Sequence, residues 1–463
     1  MIEMTLQQVA EATHGQLAVS NGLTIHNICT DSRSLATGDL FIALSGERFD
    51  AHDYIEQVAQ NGAAAVVVSR PVDVDIPQII VADTRKALGA LGRWLLQHCD
   101  LSSVAITGSS GKTTVKEMTA AILRQHHQVL STQGNFNNEI GVPLTLLRAE
   151  PSMTHAVVEL GASGPHEIAY TTRLVQPDAA VITNIGGAHL EGFGSEQGIA
   201  SAKAEIFEGL GPQGTAIFDY HSPYAGQWQA LVYDKIKLMW SSQGDSNAQV
   251  RASHIDIDDD SSQFVLSIHH ESIDICLPMP GLHNIENALA AAASAFVLGV
   301  GIVEIAAGLE MGVSVKGRLQ SYELSSQLTV IDDTYNANLA SVKAAIDVLA
   351  AQSKRTTVLV FGDMGELGAW ARQHHEEVGK YAQQRGIDAL FTLGALSDEA
   401  LRAFSGQGRH SYDIEDLMAE LTEWITEQKQ PVRLLVKGSR SAAMERVVER
   451  LKQWQTGEEE ASC

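Results

Sequence analysis

The apolar residues Val104, Ala105 and Ile106 run directly into "TGSSGKTT" (107–114), and the stretch after it, "VKEMTAAILRQ", repeats apolar positions at helical spacing. A glycine-rich turn between a buried strand and a helix leaves few folds open. The helix must pack back onto the strand, and following strands then run parallel in a sheet covered on both faces. Main-chain N–H groups at such a helix start point at an anion, and the helix dipole adds to the attraction. Here Gly108, Ser109, Ser110 and Gly111 form the turn, Lys112 offers a cation for outer phosphate charge, and Thr113 or Thr114 a hydroxyl for Mg²⁺. The full P-loop pattern has a glycine five residues before Gly111, where this chain has Ile106, so the loop is a shortened variant. A nucleotide is the expected ligand, and a plain Gly-Ser turn the bland alternative.

The rest of the chain organises around that unit in three blocks. In residues 1–84, "DLFIAL" and "AAAVVVS" read as strands and "DYIEQVAQNG" as a helix closed by Gly62; "DIPQIIVADTR" ends the block. A central block, 85–314, opens on the helix "KALGALGRWLLQH" and continues through "SVAIT", the glycine loop, "HAVVEL" and "DAAVITNI". A last block, 315–463, has the strands "LTVIDD", "TTVLVFGDM", "DALFTLG" and "VRLLVKGS" between helical stretches. Strands alternating with helices define an α/β fold class, and 463 residues suit about three domains.

Charge narrows the partners. Lys and Arg total 32 against 56 Asp and Glu, a formal net charge of −24. No nucleic-acid partner is expected of so acidic a chain, because phosphate backbones need clustered cations. Cys29, Cys99, Cys276 and Cys463 are too scattered for a zinc or disulfide framework. "ALAAAASAFVLGVGIV" (288–303) is short for a membrane span and reads as a buried helix. The N-terminus lacks a basic, apolar leader pattern. A cytoplasmic protein without stable membrane insertion, functioning as a monomer, is the expectation.

Several residues have the chemistry to act with the loop. Glu159 ends "AVVEL", at the strand end where α/β sheets bind ligands, and would hold Mg²⁺ directly or through water. His189 lies in "GGAHLEGFGS" after the next strand. Lys203 falls four residues after Ile199 and four before Phe207, on an apolar helix face. An ammonium there either snorkels out or is lost; a neutral amine can take up CO₂ and become a carbamate, an anionic oxygen ligand. Asn284 and Asn287, one turn apart, could hold a base or orient a phosphate; capping by Asn284 is the alternative. "IDDTYNANLAS" carries Asp333, Tyr335 and Asn336, with Arg318 nearby. Lys437, Ser439 and Arg440 sit where a strand meets a helix, a second anion site suited to a carboxylate. Ser32, Arg33 and Arg48 occupy polar loops that could hold a diphosphate.

Taken together, "TDSR", "GERFDAHD", "TGSSGKTTVKEM", "GNFNNEIGVPLTLL", "AKAEIF", "PGLHNIENALAA", "DDTYNAN", "GDMGELG" and "KGSRSAAME" resemble the Mur ligases of peptidoglycan synthesis over nearly the whole chain. "GERFDAHD" with "KGSRSAAME" resembles the branch that joins D-alanyl-D-alanine to UDP-N-acetylmuramoyl-tripeptide. The resemblance implies an N-terminal UDP-binding domain, a central ATPase-like domain and a C-terminal Rossmann-like domain. It implies ATP and two Mg²⁺ ions, a carbamylated Lys203, Glu159 and His189 as magnesium ligands, and Arg318 and Asp333 as contacts to ATP from the C-terminal domain. The chain departs from the family at Lys316-Gly317-Arg318, where Pro-Gly-Arg is usual, and at "FDYHSP" (218–223), where Asn-x-Asp is common. Two other readings compete: a folylpolyglutamate-synthase-like amide ligase, against which the first-block motifs speak, and a nucleotide-dependent switch, which would need the loop but not Lys203, His189 and "KGSR" together.

Overall fold

The computed structural model describes residues 2–18, 22–46, 49–187, 190–351 and 355–461. Three large sheets carry the described residues, besides a two-stranded pair of Met4–Thr5 with Thr24–Ile25. The first has five strands in the order Gln16–Leu17, Gln78–Ile80, Ala65–Val68, Leu40–Ile42, Ile28–Cys29, parallel except at the Gln16–Leu17 edge. Its helix Leu6–Thr13 starts at Thr5, whose side chain caps Gln8 in a reciprocal capping box.

Helix Thr84–His98 joins the first two bodies. Asp83 caps it, accepting from the N–H groups of Arg85 and Lys86 at 2.8 and 3.2 Å. Ala87, Leu88, Leu91 and Leu95 face the N-terminal core, while Gly89 and Gly92 lie against Tyr170 and Pro143 of the central block and Leu96 enters its core.

The central sheet has nine strands. Six run parallel in the order Ile236–Ser241, Thr215–Asp219, Ala179–Ile182, Ser102–Thr107, His155–Glu159, Val129–Ser131. Beyond Ile236–Ser241 the sheet continues as a meander, Val250–Ile257, Ser262–Ile268 and Glu271–Leu277, whose internal pairings are antiparallel. The sequence reading does not include that meander, nor the strands Val129–Ser131, Thr215–Asp219 and Ile236–Ser241. The meander strands alternate: Phe264, Leu266 and Ile268 are buried while the residues between them are not. A one-sided, period-two strand lacks the continuous apolar run that marks the parallel core.

The alanine-rich segment forms helix Leu282–Val297, packed on helix Lys112–Arg124 and the sheet. Ala288, Ala290, Ala291, Ala292, Ala293 and Ala295 are all buried, and such small side chains let helix and sheet approach closely. Among the described residues no helix is long and apolar enough to cross a membrane.

The C-terminal sheet has the order Gln320–Ser325, Leu328–Asp333, Val432–Lys437, Thr356–Gly362, Ala389–Leu393, Gln407–Ser411, parallel apart from the first pair. Its two edge strands, polar and half-exposed, are also absent from the sequence reading. Leu190 and Ile199 of the central domain belong to this domain's apolar cluster, with Ile331, Val342 and Leu359. The C-terminal domain therefore seats directly on the stretch that follows the strand Ala179–Ile182.

Candidate active site

The glycine loop lies at the C-terminal end of strand Ser102–Thr107 and opens helix Lys112–Arg124. Two of its positions admit only glycine. Gly108 has φ +152°, and a Cβ there would lie 1.9 Å from Thr183 Oγ1. Gly111 has φ +78°, and its Cβ would lie 2.3 Å from Asn287 Oδ1. The neighbouring strand end holds the loop in shape. Ser109 N–H donates to Asn184 O at 3.0 Å, Ser110 N–H to Asn184 Oδ1 at 2.9 Å, and Thr183 Oγ1 to Ser110 O at 2.5 Å. Lys112 folds back and donates from Nζ to Gly108 O at 2.7 Å. Burial lowers its pKa, against the pull of Glu159.

Glu159 is buried beside the loop. Its Oε2 accepts from Thr113 Oγ1 at 3.1 Å and its Oε1 from Asn137 Nδ2 at 2.8 Å, while its own N–H donates to Thr132 Oγ1 at 3.0 Å. A carboxylate and a hydroxyl side by side next to a phosphate-gripping loop form an oxygen donor set suited to a hard divalent cation. Lys203 lies within electrostatic reach of Lys112 and Glu159. It is buried rather than snorkelling, 2% exposed, with Nζ 5.6 Å from the centroid of the Phe193 ring. Burial first, and the charge of Lys112 second, lower its pKa to about 7, so much of it is an uncharged amine at neutral pH. His189 lies outside the described residues.

Two cavities meet at the loop. The narrower, about 260 Å³, is lined by Ser110, Gly111, Thr114, Asn284, Asn287, Arg318 and Asp333. Arg318 and Asp333 come from the C-terminal domain, so the structure brings the two domains together over the loop. Gly281, not Asn284, is the N-cap of helix Leu282–Val297; Asn284 Nδ2 donates to Pro280 O at 2.8 Å and Asn287 Nδ2 to Asn284 Oδ1 at 3.4 Å. His283, beside them, has a pKa lowered to about 4 by burial.

The wider cleft, about 810 Å³, runs from Lys112 and Glu159 to Tyr335, Asn336, Ser439 and Arg440. Tyr335 Oη donates across it to Asn135 Oδ1 at 3.1 Å, and the Arg318 guanidinium lies 4.4 Å from the Tyr335 ring centroid. The "KGSR" group is divided between the two cavities. Ser439 and Arg440 line the wide cleft, whereas Lys437 is buried on the narrow side. Its Nζ donates to Asp333 Oδ2 at 2.5 Å and Asn336 O at 2.9 Å. Lys437 thus holds Asp333 and the loop after it in place.

Ser32 and Arg33 lie in a third cavity, about 820 Å³, formed by the N-terminal domain with Phe49 and Tyr54, whose rings stack at 5.4 Å. Arg33 is clamped by Asp31, Nη2 to Oδ2 at 2.7 Å, yet stays largely exposed. Arg48 lies outside the described residues. Residues that sequence reasoning did not single out are Asn137, Thr183 and Asn184. All three sit in strand-end loops, and their only signal was an amide or hydroxyl at the ligand-binding end of a parallel sheet.

A parallel sheet bearing a phosphate-gripping loop, with a second α/β domain seated over it, defines a nucleotide-binding α/β protein. Comparison with known proteins places it more closely. The chain matches the models of the Mur ligase family, catalytic domain over residues 24–95, the Mur ligase middle domain over 106–295 and the Mur ligase, glutamate ligase domain over 317–440. It is 46% identical over 453 residues to UDP-N-acetylmuramoyl-tripeptide–D-alanyl-D-alanine ligase of Escherichia coli (strain K12), covering 98% of this chain and 99% of that one. It superposes on MurF from Acinetobacter baumannii with a TM-score of 0.93 at 38% identity, over 98% and 99% of the two chains. The MurF ligase from Thermotoga maritima in complex with ADP gives 0.83 at 28%, over 94% and 98%. The chain belongs to the Mur ligase family.

Proposed function

We propose that this protein joins D-alanyl-D-alanine to UDP-N-acetylmuramoyl-tripeptide at the expense of ATP, making the UDP-linked pentapeptide precursor of peptidoglycan. The observation that carries the reading is the convergence of the glycine loop, Glu159 and the C-terminal Arg318 on one cleft, with the buried Lys203 within electrostatic reach of Lys112 and Glu159, in a chain similar to such ligases over its full length.

The tripeptide's terminal carboxylate oxygen attacks the γ-phosphorus of ATP, and the bond from phosphorus to ADP breaks, leaving an acyl phosphate. The amine of D-alanyl-D-alanine then attacks the acyl carbon; orthophosphate leaves, and the nitrogen gives up a proton. The obstacle in the first step is charge. A carboxylate and a triphosphate about 4 Å apart repel by roughly 4 kcal/mol per charge pair at an effective dielectric near 20. Lys112 and Arg318 offset that repulsion from two sides, and the loop N–H groups fix the phosphates. Thr113, Glu159, His189 and a Lys203 carbamate would hold two Mg²⁺ ions, which supply further screening of the phosphoryl oxygens. Asn284, Asn287 and Asp333 would bind the nucleoside end. Ser439 and Arg440 would take the dipeptide carboxylate, with Tyr335 and Asn336 beside it, and Lys437 supports that wall from behind.

Ser32, Arg33 and Arg48 would bind the UDP group in a domain of residues 1–84. Residues 85–314 and 315–463 would form the ATP-binding and Rossmann-like domains. A monomer in the cytoplasm fits these roles. The test is phosphate release, expected only when ATP, UDP-linked tripeptide and D-alanyl-D-alanine are all present. Release that ignores both acceptor and dipeptide would point to the nucleotide-dependent switch.

A further inference from the structure

The narrow cavity has linings of different chemistry. Ser110, Gly111 and Thr114 bring it to the start of the glycine-loop helix, where main-chain N–H groups suit phosphates. Ile185 and Met279 from the central domain, with Leu319, Ala340 and Ala344 from the C-terminal domain, bring apolar surface, which a flat heterocycle needs against its faces. Two carboxylates join them, Asp333 and Glu286. Asp333 has both oxygens engaged: Oδ2 takes Lys437 Nζ at 2.5 Å and Oδ1 the Leu319 N–H at 3.3 Å.

Glu286 differs. It lies on helix Leu282–Val297 between Asn284 and Asn287, and its Oε1 accepts from Ser242 Oγ, just past the strand Ile236–Ser241, at 3.1 Å. Among the described residues that is the only hydrogen bond of its carboxylate, and no cation pairs with it. Burial raises its pKa against the hydrogen bond from Ser242, and the charge of Asp219 adds to the rise. A carboxylate oxygen kept partly from water and lacking a donor is costly, and a ligand that supplies an N–H removes the cost. Adenine carries an exocyclic amine on its ring edge. Guanine has a carbonyl oxygen at the same position, which a carboxylate repels.

We propose that Glu286 selects adenine over guanine by accepting a hydrogen bond from the exocyclic amine of the base. This rests on the ligase reading only in placing ATP in the narrow cavity. The apolar residues hold the ring without regard to its substituents, and Glu286 reads the edge.

The probes are ATP, GTP and the triphosphate of purine riboside, which has the outline of ATP without the amine. Each is titrated with Mg²⁺ into the full-length protein. The unmodified chain is expected to bind ATP at least about tenfold more tightly than purine riboside triphosphate. Glu286→Ala is expected to bring those two within about twofold of each other. Glu286→Gln keeps the outline and adds an N–H donor, so it is expected to bind GTP at least about fivefold more tightly than the unmodified chain does; this variant decides the matter if Glu286→Ala fails to fold. Equal loss of ATP and purine riboside triphosphate in Glu286→Ala would make the residue structural and overturn the proposal. An ATP preference that survives both substitutions, or is missing from the unmodified chain, overturns it too. Phosphate release with UDP-linked tripeptide and D-alanyl-D-alanine is a separate readout. Amine-selective binding without that release overturns the ligase reading alone, release with nucleotide binding that ignores Glu286 overturns the proposal alone, and a chain that binds none of the three nucleotides overturns both.

Discussion

Lys112 and Lys203 lie close together, and burial lowers the pKa of both. In the proposed mechanism Lys112 acts as a cation facing phosphate, while Lys203, further burdened by the charge of Lys112, acts as an amine. Replacing Lys112 by alanine is expected to lower turnover at least about 100-fold; steady-state kinetics with near-normal kcat would remove it from the mechanism. Lys203→Ala is expected to be almost inactive and partly restored by added short carboxylates, which can enter the space of a carbamate. Full activity without additive would rule out a carbamate role. Residue patterns carried these two positions well, because a lysine on an apolar face is costly whatever the fold. The same patterns passed over Asn137 and Asn184. An asparagine in a loop is unremarkable until the fold shows it donating to Glu159 or accepting from Ser110.

Among the elements, the glycine loop is the most tightly determined. Gly111→Ala places a Cβ 2.3 Å from Asn287 Oδ1 at φ +78°. At least about 1–2 kcal/mol of backbone strain is expected, together with weaker nucleotide binding; unfolding and nucleotide titration of the variant would check both. The "GDMGEL" loop depends on a buried histidine. His375 Nε2 accepts the Met364 N–H, which requires a neutral ring on that side, and burial lowers the pKa of His375 below its ordinary value. The unfolded chain takes up that proton near pH 6.5, the folded one only at lower pH. The stabilising contribution is therefore complete above about 6.5 and lost as pH falls from there towards the folded value. His155 and His283 shift in the same direction, also mainly by burial. Thermal unfolding is expected to occur at lower temperature at about pH 5 than at about pH 7.5, with a smaller difference in His375→Gln. An unchanged difference in the variant would exclude His375 as a contributor. Strands at the polar edges and in the meander escaped the sequence reading because half-exposed strands lack a long apolar run.

At the scale of the whole molecule, the site exists only where two domains meet. Arg318 and Asp333 reach the loop from the C-terminal domain, and Tyr335 spans the cleft to Asn135. Binding of an ATP analogue with UDP-linked tripeptide is expected to favour this joined arrangement and to reduce the radius of gyration in solution. Scattering curves that are identical with and without ligands would count against ligand-driven closure.

Sequence alone determined the alternating α/β architecture, the phosphate-gripping turn and the two lysines, since each follows from short-range spacing or from the cost of placing a residue type in a given environment. Tertiary structure decided which distant groups share a cavity. It divided Lys437 from Ser439 and Arg440, set helix Thr84–His98 between the N-terminal and central cores, and put Glu366 on the wall of the wide cleft. Those outcomes depend on contacts between residues far apart in the chain, and local periodicity holds no record of such distances.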